Sequence, residues 1–247
     1  MQEISWAELE QQVASFTQYL RKNGIQKGDR VAAYIPNIPQ ALVAFLATNA
    51  VGAVWSSCSP DFGTPSVLDR LTQIEPKILI ACDGYSYNGK KFSKIHAVNE
   101  LIANLPSIQK VVLVNYIGEE KLEGADSYID ILTLPAEALR FERVDFNDPI
   151  WVLYSSGTTG KPKAITHSVG GMLIEHLKAL GLHQNCKRGD KFFWYSTTGW
   201  MMWNYANAAL LHGTTVVIYD GAPAYPNINV LWDLARDTQI THFGAGA

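Results

Sequence analysis

The sequence predicts an α/β fold: mostly parallel sheets with helices on both faces. Two observations carry this. Short β-branched runs (RVAAYIP from Arg30, KILIA from Lys77, KVVLVNYI from Lys110) alternate with segments of helical periodicity, the order that a parallel sheet with crossover helices requires. The same alternation resumes from Trp151 to the end of the chain. With 247 residues, 47% of them hydrophobic and 17% charged, the chain can also bury a sizeable core.

Element by element, Ser5 and Glu8 form a capping box ahead of Trp6, Leu9, Val13, Phe16 and Leu20, which recur at helical spacing up to Gly24. A strand follows from Arg30. The longest apolar run, Ala41 to Trp55, is broken by Thr48, Asn49 and Gly52. That is too short and too interrupted to span a membrane. It reads as a buried helix (Pro39 to Val51) entering a strand, AVWSSC. Thr64-Pro65 reads as an N-cap with proline at the first helical position, and the helix carries Leu68, Leu71 and Ile74 on one face. Residues 118–147 are more polar and read as a connection between two halves, 1–117 and 148–247. In the second half WVLYSS is a strand. A helix covers Val169 to Leu180, KFFWYS is a strand, and a helix runs from about Met202 to Leu211. TTVVIYD, a helix over Asn229 to Arg236, and THFGA complete the pattern.

Composition removes several function classes. The net charge is −3, with no basic stripe, so nucleic acid is not the expected partner. Cys58, Cys82 and Cys186 are odd in number and widely spaced, without a CxxC, so neither a disulfide framework nor structural zinc is indicated. With no signal-like start at MQEISWAELE, a cytoplasmic location is expected. His167, His176 and His183 match no zinc spacing. Ser155 and Ser156 lie in no G-x-S-x-G context, which argues against a hydrolase.

The informative stretch is YSSGTTGKPKAITH, Tyr154 to His167. It sits after a strand and is expected to lead into a helix, at the edge where open α/β sheets bind ligands. Backbone N–H groups around Gly157 and Gly160, hydroxyls of Ser155, Ser156, Thr158 and Thr159, and the charges of Lys161 and Lys163 suit phosphate oxygens. A slack connecting loop has the same composition, so residue types alone leave the two readings open. It is not a Walker A loop, because Ser155 and Pro162 stand where that motif needs glycine and Ser/Thr.

The full string is more specific. It resembles the phosphate loop of the adenylate-forming superfamily, with Ala164 where the superfamily usually has glycine. Gln26 to Phe62, Ser196 to Tyr205 and Gly213 to Pro226 resemble the core of short-chain acyl-CoA synthetases, so the likeness runs over nearly the whole chain. Ala164 with TTGWMMWN is most similar to the acetoacetate-activating branch. The acetyl- and propionyl-activating branches are the competing assignment, and a non-catalytic nucleotide-binding module is the alternative from another class.

The resemblance implies an acid–thiol ligase using ATP, Mg2+ and coenzyme A, with acetoacetate as the acid and no nucleic-acid or membrane partner. It implies ATP-phosphate contacts from Ser155, Ser156, Gly157, Thr158, Thr159, Gly160, Lys161 and Lys163. Trp200, Met201, Met202 and Trp203 would line the acyl pocket; the competing reading of these four is plain core. Gly89 and Lys90 would meet coenzyme A, although Ser59, Pro60 and Asp61 depart from the pattern expected beside it. No metal ligands and no catalytic residue are expected within the chain. The ribose-gripping aspartate, the magnesium glutamate and the small C-terminal domain with its catalytic lysine are expected beyond Ala247, which makes the chain a partial adenylation domain, 1–247.

Overall fold

The computed structural model describes residues 2–118, 121–135, 137–155 and 160–246. Its first sheet has seven strands in the order β7-β6-β3-β1-β2-β8-β9. In chain order these are β1 (Arg30–Tyr34), β2 (Val54–Cys58), β3 (Ile78–Cys82), β6 (Lys110–Val114), β7 (Asp126–Ser127), β8 (Pro149–Tyr154) and β9 (Ala164–Ser168). All neighbours are parallel except β8 and β9. A hairpin of β4 (Gly84–Tyr87) and β5 (Lys90–Ser93) stands apart. A second sheet, wholly parallel, orders β11 (Thr215–Val217), β10 (Lys191–Trp194) and β12 (His242–Gly244).

Alternation along the strands divides the core. Val31 and Ala33 of β1, with Ile78 and Ile80 of β3, join one cluster with Phe16, Leu20, Ala44 and Phe45. Those four come from α1 (Trp6–Lys22) and α2 (Pro39–Ala50). Ala32, Tyr34, Leu79 and Ala81 point the other way, to Val67, Leu71, Val98 and Leu101. These come from α3 (Thr64–Leu71) and α4 (Ile95–Asn104). Successive residues of a strand face opposite sides, so helices on both faces are what these apolar strands require. The capping box at Ser5 is formed. The expected helix into strand across Ala41–Trp55 is α2 followed by β2.

Three local expectations change. At α3 the N-cap is Gly63, so Thr64 is already helical and Pro65 is the second helical residue. The polar connection holds structure of its own: β7 pairs with β6, and α5 (Tyr128–Thr133) packs Tyr128 and Ile131 into the first core. The third change bears on function. The run after Tyr154 does not enter a helix directly. Ala164–Ser168 folds back as β9, antiparallel to β8, with Tyr154 opposite Ala164. Ile165 and Thr166 are β-branched and suit a strand. The helix begins only at Val169, capped by the Ser168 hydroxyl, as α6 (Val169–His176), and continues as a π-helical turn over Leu177–His183.

Candidate functional site

The strands that bracket the glycine- and hydroxyl-rich run, β8 and β9, therefore form a β-hairpin. Its base is closed twice: Ser155 N donates to Lys163 O at 3.0 Å, and Lys163 N donates to the Ser155 hydroxyl at 3.1 Å. Gly160 has φ 148°, a backbone region that favours glycine. On one flank the hairpin leans on α3 and the turn after it: Lys161 Nζ lies 3.3 Å from Asp69 Oδ1, and Gln73 Nε2, two residues past the helix, donates to Pro162 O at 2.8 Å. Lys163 is exposed and has no ion partner among the described residues. Since Ala164–Ser168 is a strand, no helix N-terminus directly follows Lys163. Ser156, Gly157, Thr158 and Thr159 lie outside the described residues.

Below the hairpin a second loop, Ser196–Gly199, is fastened to the ends of β1 and β2. Thr198 Oγ1 donates to Ile35 O at 2.7 Å, and the Ser57 hydroxyl donates to Thr198 O at 2.5 Å. Asn37 completes the fastening. Its Nδ2 donates to Ser196 O and Tyr219 O at 3.3 and 3.4 Å, and its Oδ1 accepts the indole N–H of Trp203 at 2.9 Å. This sets the start of α7 (Met201–Asn207), with Trp200 at its N-cap. Between α7, the two hairpin strands and α6 lies a cavity of about 470 Å³. Leu153, Ile165, His167, Met172, Trp200 and Met201 contribute to its lining.

The histidines near this cavity separate. His176 is buried and stacks on Trp151 at 5.8 Å; burial pushes its imidazole down to about 4. His167 accepts a hydrogen bond on Nδ1 from the Trp151 indole N–H at 3.0 Å, and partial burial lowers its pKa from the ordinary value. His183 is exposed. Among the described residues no group of three or more His, Cys, Asp or Glu is placed to hold a metal ion.

A third region joins the two halves of the sequence. The β4–β5 hairpin turns through Asn88 and Gly89, both at positive φ, and a Cβ on Gly89 would collide with the Tyr225 hydroxyl. Nearby, Tyr34 donates to Pro60 O and Phe62 O at 3.0 and 2.7 Å, which closes the turn Ser59–Phe62. Asp83 accepts backbone N–H bonds from Tyr116, Ile117 and Gly118 at 2.7–3.0 Å. That shapes the loop from which the Tyr116 hydroxyl donates to Asp220 Oδ2 at 2.8 Å. Burial first, and then the charge of Asp61, push the Asp220 carboxyl up to about 6.

Residues 1–245 match the sequence profile of the family described as AMP-binding enzyme. The chain belongs to that family. Among curated relatives it is similar to acetoacetyl-CoA synthetase of Mus musculus, 43% identical over 254 residues, and to acetoacetyl-coenzyme A synthetase of Rhizobium meliloti, 44% identical over 253. Each alignment covers 99% of this chain and 38% of the relative. Among solved structures it is similar to acetoacetyl-CoA synthetase from Streptomyces lividans, with a TM-score of 0.97 and 51% identity, covering 99% of this chain and 38% of that one. The chain thus spans 38% of the length of the relatives it matches.

Within this AMP-binding segment the residues singled out from the sequence fall into distinct settings. Ser155, Gly160, Lys161 and Lys163 flank one hairpin tip. Trp200 and Met201 line the cavity, while Met202 is half-buried and not part of that lining. Trp203 is 2% exposed and stacks on Trp55 at 6.2 Å, so its side chain supports the pocket from within the core. Gly89 and exposed Lys90 sit on the β4–β5 turn, away from the β8–β9 hairpin. Sequence reading passed over Asn37 and His167 as site residues. Asn37 had a weak signal in its place just after a strand, in the run PNIP.

Proposed function

We propose that this chain supplies the ATP-phosphate loop and one wall of the acyl pocket of an enzyme that converts acetoacetate to acetoacetyl-CoA, in the cytoplasm, through an acyl-adenylate. The observation that carries the reading is the juxtaposition of two features. A lysine-bearing hairpin loop of the AMP-binding family stands directly above a largely apolar cavity. The names of the relatives supply the acid.

In this reaction a carboxylate oxygen attacks the α-phosphorus of ATP and pyrophosphate leaves. The thiol of coenzyme A then attacks the acyl carbon and AMP leaves. The first step brings two anions together, so it depends on neutralising phosphate charge and on holding the reactants in line. Ser155, Gly160, Lys161 and Lys163, with the intervening Ser156, Gly157, Thr158 and Thr159, hold the β- and γ-phosphates. The cavity takes the short acyl chain against Trp200 and Met201, and Met adapts to a small apolar group. Met202 and Trp203 back that wall. Gly89 and Lys90 meet coenzyme A, Lys90 as a point charge for phosphate. Magnesium accompanies the nucleotide. The described residues offer no carboxylate cluster for it, and the steps assigned to this chain do not run through it. The described residues also include no helix long and apolar enough to cross a membrane.

The test is a carboxylate screen on the full-length enzyme scored by pyrophosphate release. Acetoacetate should exceed acetate, propionate and butyrate in kcat/KM; a clear preference for acetate would reject the assignment. The 247-residue chain alone should support no acetoacetate-dependent ATP–pyrophosphate exchange.

A further inference from the structure

The proposed acid poses a chemical problem that an apolar cavity does not solve. Acetoacetate and butyrate have the same chain length and differ by a ketone oxygen in place of two hydrogens at C3. A hydrophobic wall discriminates such a pair poorly, whereas a site with a fixed donor for the oxygen rejects the analogue that leaves the donor unpaired. The cavity must therefore present an N–H or O–H of fixed direction.

Few polar side chains line it. Glu175 is an acceptor when ionised and is already paired with Lys178 Nζ at 2.6 Å. The Tyr154 hydroxyl is enclosed, without accessible surface. Trp200 is 49% exposed, and among the described residues its indole N–H has no side-chain hydrogen bond that would fix its direction. His167 differs from all three. The Trp151 indole N–H donates to its Nδ1 at 3.0 Å. Indole nitrogen has no acceptor capacity, so Nδ1 must be the unprotonated nitrogen and the ring proton of neutral His167 sits on Nε2. Trp151 is itself immobilised, 2% exposed between Phe45 and the stacked His176. Partial burial keeps the imidazole neutral at pH 7. The ring lies on β9, four residues past Lys163 at the closed base of the hairpin, and lines the cavity.

We propose that His167 is the specificity-determining residue of this cavity: its Nε2–H, fixed in direction by Trp151, donates to the 3-keto oxygen of the bound acid and so selects 3-oxo acids over saturated acids of equal length. This rests on the acetoacetate reading above and adds the group that recognises the ketone.

The experiment measures kcat/KM of the full-length enzyme for acetoacetate and for butyrate, by pyrophosphate release, in the wild type, His167→Phe and His167→Gln. Phenylalanine keeps an aromatic ring against Trp151 but offers no donor. Glutamine can place an amide N–H near the Nε2 position. The acetoacetate-to-butyrate ratio should fall about tenfold to a hundredfold in His167→Phe, the loss expected for a buried donor, and His167→Gln should restore most of it. Because the ratio is taken within one variant, a general loss of folded enzyme cancels. Equal slowing of both acids, or a ratio that glutamine lowers as much as phenylalanine does, would overturn the proposal while leaving the acetoacetate reading intact. A wild type that prefers butyrate or acetate overturns both.

Discussion

Replacing Asn37 with alanine should loosen the proposed acyl wall at the start of α7 and leave the β8–β9 hairpin in place. Asn37 Oδ1 is the acceptor for a buried indole N–H, and truncation leaves Trp203 Nε1 with no partner. An orphaned buried donor costs about 1–3 kcal/mol. The two Nδ2 contacts, at 3.3 and 3.4 Å, are long and add about 0.5 kcal/mol each. The sum is about 2–4 kcal/mol, which for a unit of this size lowers Tm by about 4–16 °C. The diagnostic assay is a double-mutant cycle with Trp203→Phe, read by thermal unfolding of the full-length enzyme. Once the indole N–H is gone, Asn37→Ala should cost about 1–3 kcal/mol less than in the wild type. KM for the acid should also rise more than KM for ATP. Strict additivity of the two substitutions, or a rise confined to ATP, would refute this account of Asn37.

Two further outcomes follow from the charges. Lys161 is already paired with Asp69 whereas Lys163 is not, so Lys163→Ala should raise KM for ATP about tenfold and Lys161→Ala by less; the reverse order in initial-rate measurements would contradict this. Asp220 has a folded pKa raised to about 6 from 3.8, so its contribution to stability is fully present below pH 4 and is lost as pH rises through 6. Asp220→Asn retains an acceptor for the Tyr116 hydroxyl without the charge. It should therefore gain on the wild type by up to about 3 kcal/mol between pH 4 and 7; a Tm difference that does not change with pH would count against it.

The sheet was legible because its strands are apolar on both faces and its helices carry one-sided stripes, as in RVAAY and in Val13–Phe16–Leu20. Elements with weaker signals were not. The β4–β5 hairpin carries Lys90 and Lys91 and is largely exposed, so no burial pattern marks it. β9 is five residues long, half polar, and lies at the sheet edge. Only its pairing with β8, a partner ten residues away across the loop, makes it a strand. Reading the run as leading straight into a helix missed this strand. The assignment of Trp200, Met201, Met202 and Trp203 to an acyl wall came from likeness to a family, and that likeness did not divide them between cavity and core. Trp200 and Trp203 are the same residue type three positions apart at the start of one helix. One faces the cavity and the other the core because Asn37, 166 residues earlier, holds only the second.

That long-range fastening also explains why the two halves of the sequence act as one frame. β8 and β9 come from the second half and extend the first-half sheet. Thr198, in the loop before α7, donates to Ile35 O just after β1 and accepts from the Ser57 hydroxyl near the end of β2. Asn37 ties that same loop to Tyr219, beside Asp220. The cavity wall and the hairpin base are therefore anchored to neighbouring strands, β2 and β8, of a single sheet. Adenylation requires the acid and the α-phosphate to be held within a few tenths of an ångström of an in-line approach. Rigid strands hold such a geometry better than loops do. Lengthening the link between them, for example by inserting two glycines after Gly199, should lower kcat with acetoacetate without weakening ATP binding, because it displaces the acyl wall and leaves the Ser155–Lys163 closure intact.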